Sequence, residues 1–211
     1  MSVAILAGGK SRRMGEDKAL VRLADDGPTL LQIALNAAQT LADDVMVIGR
    51  PRMSDSPAVR WIADRHIGAG PLGGLATALH ASRQDRVLVL SCDAPFLSVS
   101  VLQYLVDLPM TTDAIIPVTF DRTRQGNAET LHTLQAIYRR SCLASIEAQL
   151  ASGNLRTTPW LAEVSVRRVV ESELRRLDPE LRSFLAVNTP AELQFARSLV
   201  STRHGDHSSG R

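Results

Sequence analysis

Val3-Ala4-Ile5-Leu6-Ala7-Gly8-Gly9 opens the chain with an unbroken apolar run that stops on two glycines. A short continuous run of this kind predicts a strand buried on both faces, leading straight into a tight loop. Val87-Leu88-Val89-Leu90, within residues 86–90, reads the same way and as the most central strand. Val45-Met46-Val47-Ile48, closed by Gly49 and Pro51, is a further buried strand, and Val59-Arg60-Trp61-Ile62 a shorter one. Helical signals fall between them. Leu31, Ala34, Leu35 and Ala38 form a stripe within 29–41, introduced by Pro28. Residues 68–74 read as a glycine-rich loop followed by a helix at 75–79. A helix over 98–107 and a strand over 114–118 come next.

Strands alternating with helices predict an α/β fold with three layers, a mostly parallel sheet covered by helices on both faces. The second half is less regular and predicts mixed additions to that sheet. Residues 121–130 read as loop, 134–138 as a strand leading into a helix over 139–151, and 164–170 as a strand. Residues 184–187 read as a last short strand, 190–200 as a last helix and 201–211 as a disordered tail. The chain has 211 residues, so a single domain over 1–200 is expected.

Composition narrows the function. The 24 basic and 22 acidic residues leave a net charge of +2, too balanced for an electrostatic nucleic-acid binder. No apolar run approaches a membrane span, and no basic leader precedes the first strand, so a cytoplasmic protein is expected. Cys92 and Cys142 make no metal spacing and read as reduced thiols. The five histidines make no zinc pattern. Only Lys10 and Lys18 are lysine; every other basic residue is arginine. Chance and codon bias are one account of this. A local need for a compact ammonium is the other.

Ligands of open α/β sheets sit at the carboxyl ends of the strands, and three segments qualify. In Leu6-Ala7-Gly8-Gly9-Lys10-Ser11-Arg12-Arg13-Met14-Gly15-Glu16-Asp17-Lys18, two glycines let backbone N–H groups approach a ligand, and Arg13 and Lys18 add cations. That arrangement suits a polyanion, most simply a triphosphate, although the Walker A spacing fails. In Ser91-Cys92-Asp93-Ala94-Pro95-Phe96, a lone carboxylate leaves the central strand. Beside a polyphosphate its work would be to hold Mg²⁺; a turn or helix N-cap is the other use. Gly68-Ala69-Gly70-Pro71-Leu72-Gly73-Gly74 spells a dinucleotide fingerprint, but too far past its strand.

Together and in this order these segments resemble the molybdenum cofactor guanylyltransferases, over residues 2–200. Leu6 to Leu20 fits LAGGxSxRMGxDKAL, residues 70–74 fit GPLxG, residues 92–97 fit CDxPFL, and Val187-Asn188-Thr189-Pro190-Ala191-Glu192-Leu193 fits a VNTPEEL-like close. The resemblance implies a Rossmann-like nucleotidyltransferase fold and transfer of GMP from GTP to molybdopterin, releasing pyrophosphate. It implies nucleotide contacts from Leu6, Ala7, Gly8, Gly9 and Asp64, phosphate contacts from Arg13 and Lys18, and Mg²⁺ on Asp93. Arg13, Lys18 and Asp93 would then carry catalysis. Gly73, Gly74 and Asn188 would lie on the pterin side. Partners would be GTP and molybdopterin, with transient contact to other molybdenum cofactor proteins and none to nucleic acid or membrane. The chain departs from the family in three places: Ala186 where asparagine is usual, Thr133 after His132 where proline is usual, and Ile48-Gly49 where a polar residue tends to follow the second strand. A cytidylyl or sugar-phosphate nucleotidyltransferase, or a non-catalytic nucleotide-binding module, are the other readings. Gly9 speaks against the cytidylyl relatives, whose loop resembles LAAG.

Overall fold

A computed structural model describes residues 1–8, 17–53, 56–121 and 128–205. Its first half is built from strands β1 (Ser2–Leu6), β2 (Asp44–Ile48), β3 (Val59–Ile62) and β4 (Arg86–Ser91). Helices α1 (Leu30–Leu41), α2 (Gly70–Ala81) and α3 (Val99–Asp107) connect or follow them. These four strands are mutually parallel, in the order β3-β2-β1-β4. The second half adds β5 (Ala114–Asp121), β6 (Ala128–Leu131), β7 (Gln135–Arg139), α4 (Leu143–Ala151), β8 (Val166–Val169), the short α5 (Glu171–Leu174) and α6 (Pro190–Gly205). β7 enters antiparallel between β4 and β5, β6 closes the edge, and β8 pairs parallel to β5. Of the antiparallel pairs only β5 and β6 are consecutive in the chain, whereas β7 returns from beyond β6 to lie between β4 and β5.

The layers follow from strand periodicity. Val3, Ile5, Val45, Val47, Leu88 and Leu90 face α1 and α3 on one side. Ala4, Leu6, Met46, Ile48, Val87 and Val89 face α2 and α4 on the other. Strands so covered must be apolar at every position, which is why the sequence shows runs rather than alternation. α1 starts at a capping box: Thr29 Oγ1 accepts from Gln32 N (3.2 Å), and Gln32 Oε1 accepts from Thr29 N (2.8 Å). α2 has no polar face, because the sheet and α4 bury it from Leu72 to Leu79.

Four expectations change. The 68–74 segment is loop only to Ala69, and α2 begins at Gly70. Residues 128–131 form a strand inside the expected loop. Residues 184–187, expected as a last strand, instead end a 3-10 turn (Arg182–Phe184) and continue without regular structure. α6 runs to Gly205, beyond the expected end at Val200, and residues 206–211 lie outside the described residues. No helix among the described residues is long and apolar enough to cross a membrane.

Candidate active site

The strand order fixes where a ligand can sit. From β1 the chain goes outward to β2 and β3, then crosses to β4 on the other side, so the topological switch falls between β1 and β4. A cleft of about 1040 Å³ opens there, at the carboxyl ends of β1, β2 and β4. The ladder runs one residue past the strands: Ala7 N donates to Ile48 O (3.1 Å), Cys92 N to Leu6 O (3.2 Å) and Gly49 N to Ile62 O (2.9 Å). Gly49 then turns with φ at +84°, and its Cα passes so close to Gly8 that a Cβ on Gly49 would lie 2.7 Å from Gly8 Cα. The departure at Ile48-Gly49 therefore has a steric reason, since the β2 turn and the β1 loop need the room of both side chains.

Lys18, Asp93 and Asn188 meet in this cleft from three distant parts of the chain. Lys18 begins a 3-10 turn, Lys18–Leu20, capped by the Asp17 carboxylate, which accepts from Ala19 N at 3.2 Å. Its Nζ donates to Asn188 Oδ1 at 2.6 Å and stands 3.9 Å from Asp93 Oδ2. Asp93 Oδ1 accepts from Ser91 Oγ at 2.6 Å, which aims Oδ2 at the lysine. The Asp93 carbonyl accepts from Val187 N at 2.8 Å, tying the 187–193 segment to the end of β4.

Five residues of that segment, Val187, Asn188, Thr189, Glu192 and Leu193, have a contact that explains them. Val187 and Leu193 pack with Val21, Leu30 and Ala196 in a small separate core, with Phe96 against it. Thr189 and Glu192 form a reciprocal cap, and Glu192 Oε2 also accepts from Asn188 N at 2.6 Å. Asn188 is thereby held with its amide toward Lys18.

Asp64 lies two residues past β3 on the cleft wall. Its Oδ1 accepts from His66 N (3.0 Å) and Thr77 Oγ1 (2.9 Å), leaving Oδ2 for a ligand. The amino end of α2 borders the same cleft through Gly70, Pro71 and Gly74, so its partial positive charge faces the cleft. Gly74 packs under Leu6, where a Cβ would meet Leu6 Cδ1 at 3.2 Å. Gly73 does not line the cleft. A Cβ there would lie 2.8 Å from the Cβ atoms of His66 and Ala69, so its bareness seats the helix on the preceding turn. Leu6, Ala7 and Gly8 line the cleft, whereas Gly9 and Arg13 lie outside the described residues.

Two charged cleft residues, Arg50 and Asp17, were not singled out from the sequence. Arg50 follows the Gly49 turn, and Asp17 pairs with it. The only linear signal was a cation just past a strand end. Cys92 also borders the cleft. Burial first, then the neighbouring Asp93 charge, pushes its thiol up to about 12, so it stays neutral and is no nucleophile.

Mg²⁺ prefers oxygen donors and keeps several waters, relying on one or two carboxylates plus substrate phosphates. Asp93 fits that demand. Among the described residues no group of three metal-ligating side chains exists, so no all-protein cage competes with it.

The cleft lies at the switch point where open α/β sheets take their ligands, and the chain is a nucleotidyltransferase. More narrowly, it belongs to the MobA-like NTP transferase domain family, which matches residues 3–175. A probable molybdenum cofactor guanylyltransferase of Chloroflexus aggregans is 34% identical over 205 residues, covering 96% of each chain. That of Methanothermobacter thermautotrophicus is also 34% identical, over 92% of this chain and 98% of its own. Among solved structures, molybdopterin-guanine dinucleotide biosynthesis protein A of Archaeoglobus fulgidus superposes with a TM-score of 0.79 at 28% identity, over 96% of this chain and all of its own. The 4-diphosphocytidyl-2C-methyl-D-erythritol synthase of Anaerococcus prevotii, at 14% identity and a TM-score of 0.70 over 95% of each chain, shares the fold.

Proposed function

We propose that this chain transfers GMP from GTP to molybdopterin, giving the guanine dinucleotide and pyrophosphate. Family membership supports the reaction class, and guanylyltransferase relatives at 34% identity support the substrates. The observation that carries the residue roles is the meeting of Lys18, Asp93 and Asn188 at the β1–β4 switch point.

The terminal phosphate oxygen of molybdopterin attacks the α-phosphorus of GTP. The bond from that phosphorus to the bridging oxygen breaks, and pyrophosphate leaves with the electron pair. A phosphate monoester is already anionic near pH 7, so no protein base or nucleophile is required. The chain's task is then to position the reactants and offset charge. Lys18 places a point charge beside the phosphates, and Asn188 aims it. The end of α2 adds partial positive charge. Leu6, Ala7 and Gly8, with Gly9, would receive the nucleoside end, and Asp64 Oδ2 would accept hydrogen bonds from it. Arg13 would reach the phosphates, and Gly74 with Asn188 would border the pterin; Gly73 would act through packing. Asp93 would hold Mg²⁺, which when bound neutralises phosphate charge and draws electron density from the α-phosphorus.

Purified protein given molybdopterin, Mg²⁺ and GTP, CTP or ATP in parallel tests this. Pyrophosphate and dinucleotide are expected with GTP and far less with the others, because a hydrogen-bonding base site leaves buried groups unpaired with the wrong base. Equal use of GTP and CTP would move the assignment to a cytidylyl or unselective enzyme. GTP binding without pyrophosphate release would make the chain a binding module.

A further inference from the structure

We propose that Arg50 is a positioning residue that neutralises Asp17 and so keeps the Lys18 turn competent for a triphosphate, an inference that rests on the nucleotide reading of the cleft. Arg50 follows the left-handed turn at Gly49, which carries its side chain over the end of β1. Its Nε donates to Ala7 O at 2.9 Å, and its Nη2 pairs with the Asp17 carboxylate. Ala7 and Asp17 flank residues 8–16, so one guanidinium holds both sides of the glycine signature. The Arg50 side chain is 13% exposed and that of Asp17 41%, so the pair is sheltered on one side only and stays open to screening by salt.

Asp17 is the awkward member of the cleft. It is the residue next to Lys18, its oxygen caps the Lys18–Leu20 turn, and it lines the same cleft. A carboxylate there opposes a bound polyanion unless a cation offsets it. Arg50 supplies that cation while leaving the oxygen in place to cap the turn. The requirement is for two N–H groups pointing different ways, one at a carbonyl and one at a carboxylate. A guanidinium meets it from two nitrogens held in one rigid plane, whereas an ammonium offers its donors from a single nitrogen and cannot span the same two acceptors in the same geometry. Arg50 thus acts on Lys18 through Asp17, and nothing in this role touches a base.

The test titrates wild type, Arg50→Ala, Arg50→Lys and Arg50→Ala/Asp17→Asn with GTP, CTP and ATP, at low and high salt, alongside melting curves. Arg50→Ala is expected to weaken triphosphate binding roughly tenfold, by the same factor for all three bases. Adding Asp17→Asn is expected to recover most of that loss, because the unpaired charge is gone although the guanidinium is still missing. High salt is expected to shrink the loss by screening. Full wild-type affinity in Arg50→Ala, or no recovery in the double variant, overturns the proposal. A loss confined to one base overturns it too, making Arg50 a base-reading residue. Should Arg50→Ala not fold, Arg50→Lys decides. Its KM for the nucleotide should rise several-fold with kcat little changed, and an unchanged KM overturns the proposal. A wild type that prefers CTP or ATP ends the guanylyl reading but not this one, since the variants are then compared on the base it takes.

Discussion

Asp93 holds the cleft together through three separate atoms. Its backbone carbonyl anchors the 187–193 segment, Oδ1 is fixed by Ser91, and Oδ2 faces Lys18. Replacing the side chain leaves the backbone bond intact, so Asp93→Ala should fold with little change in melting temperature. Its turnover in Mg²⁺ should fall by several kcal/mol of transition-state stabilisation, and Asp93→Asn should be nearly as poor. Near wild-type turnover in either variant would remove the metal role. Lys18 gives a sharper contrast. Lys18→Ala should lose both nucleotide binding and rate, whereas Lys18→Arg should bind within about tenfold, or 1.4 kcal/mol, and lose more in rate. A planar fork prefers a fixed bidentate partner, while the ammonium can follow a phosphate as it leaves. Kinetics plus a direct GTP titration decide it, and wild-type turnover in Lys18→Arg would mean that charge alone matters. These residues were legible in the sequence because each sits in a contiguous motif at a strand end. Arg50 and Asp17 were not, because their pairing depends on β2 turning over β1, and no linear spacing records that approach.

Among the elements, the four parallel strands were legible because burial on both faces makes them continuous apolar runs. The start of α2 was not. Glycine content argued for a loop, but close packing on His66, Ala69 and Leu6 makes helical glycines necessary at 73 and 74. Gly73→Ala should therefore destabilise the fold by about 1–3 kcal/mol through overpacking, although alanine is the better helix former. Denaturant titration checks this, and a stabilised variant would show that the turn before α2 yields easily. Gly49→Ala should cost a similar amount, about 1–3 kcal/mol for the left-handed φ alone, with the Gly8 contact added. It should also weaken GTP binding, since Gly8 cannot move without disturbing the β1 loop. β6 was missed because its side chains are largely exposed and carry no apolar signal. The strand expected over 184–187 is absent because that short apolar run packs Phe184 and Val187 against two different cores rather than pairing in the sheet.

The whole molecule should be acid-sensitive in two separate pH windows. Three carboxylates sit below their ordinary range. Burial raises Asp44, but Ser2 and Arg60 outweigh it. Hydrogen bonds from Ser165 lower Asp113. Burial raises Glu173, but Tyr104, Val170 N and Arg167 outweigh that. Their stabilisation is present above the unfolded carboxylate values and is lost only as pH falls through the lower folded ones. His132 acts earlier. Burial pushes its imidazole down to about 4, with Nε2 at 2.8 Å from Thr119 Oγ1 and the ring 4.4 Å from that of Phe184. An unfolded histidine takes a proton near pH 6.5. Between pH 6.5 and about 4 the unfolded chain therefore binds a proton that the folded chain refuses, and stability falls as pH drops. Across that window one such group contributes about 3 kcal/mol of lost stability. His132→Gln should begin less stable at pH 8, having lost the tilted ring contact with Phe184, but its stability should stay flatter down to pH 5, above the carboxylate window. Urea titrations of both proteins across pH 8 to 5 measure the two slopes. Parallel slopes would mean that His132 protonates in the folded protein as easily as in water, and that the acid limb belongs to the carboxylates alone.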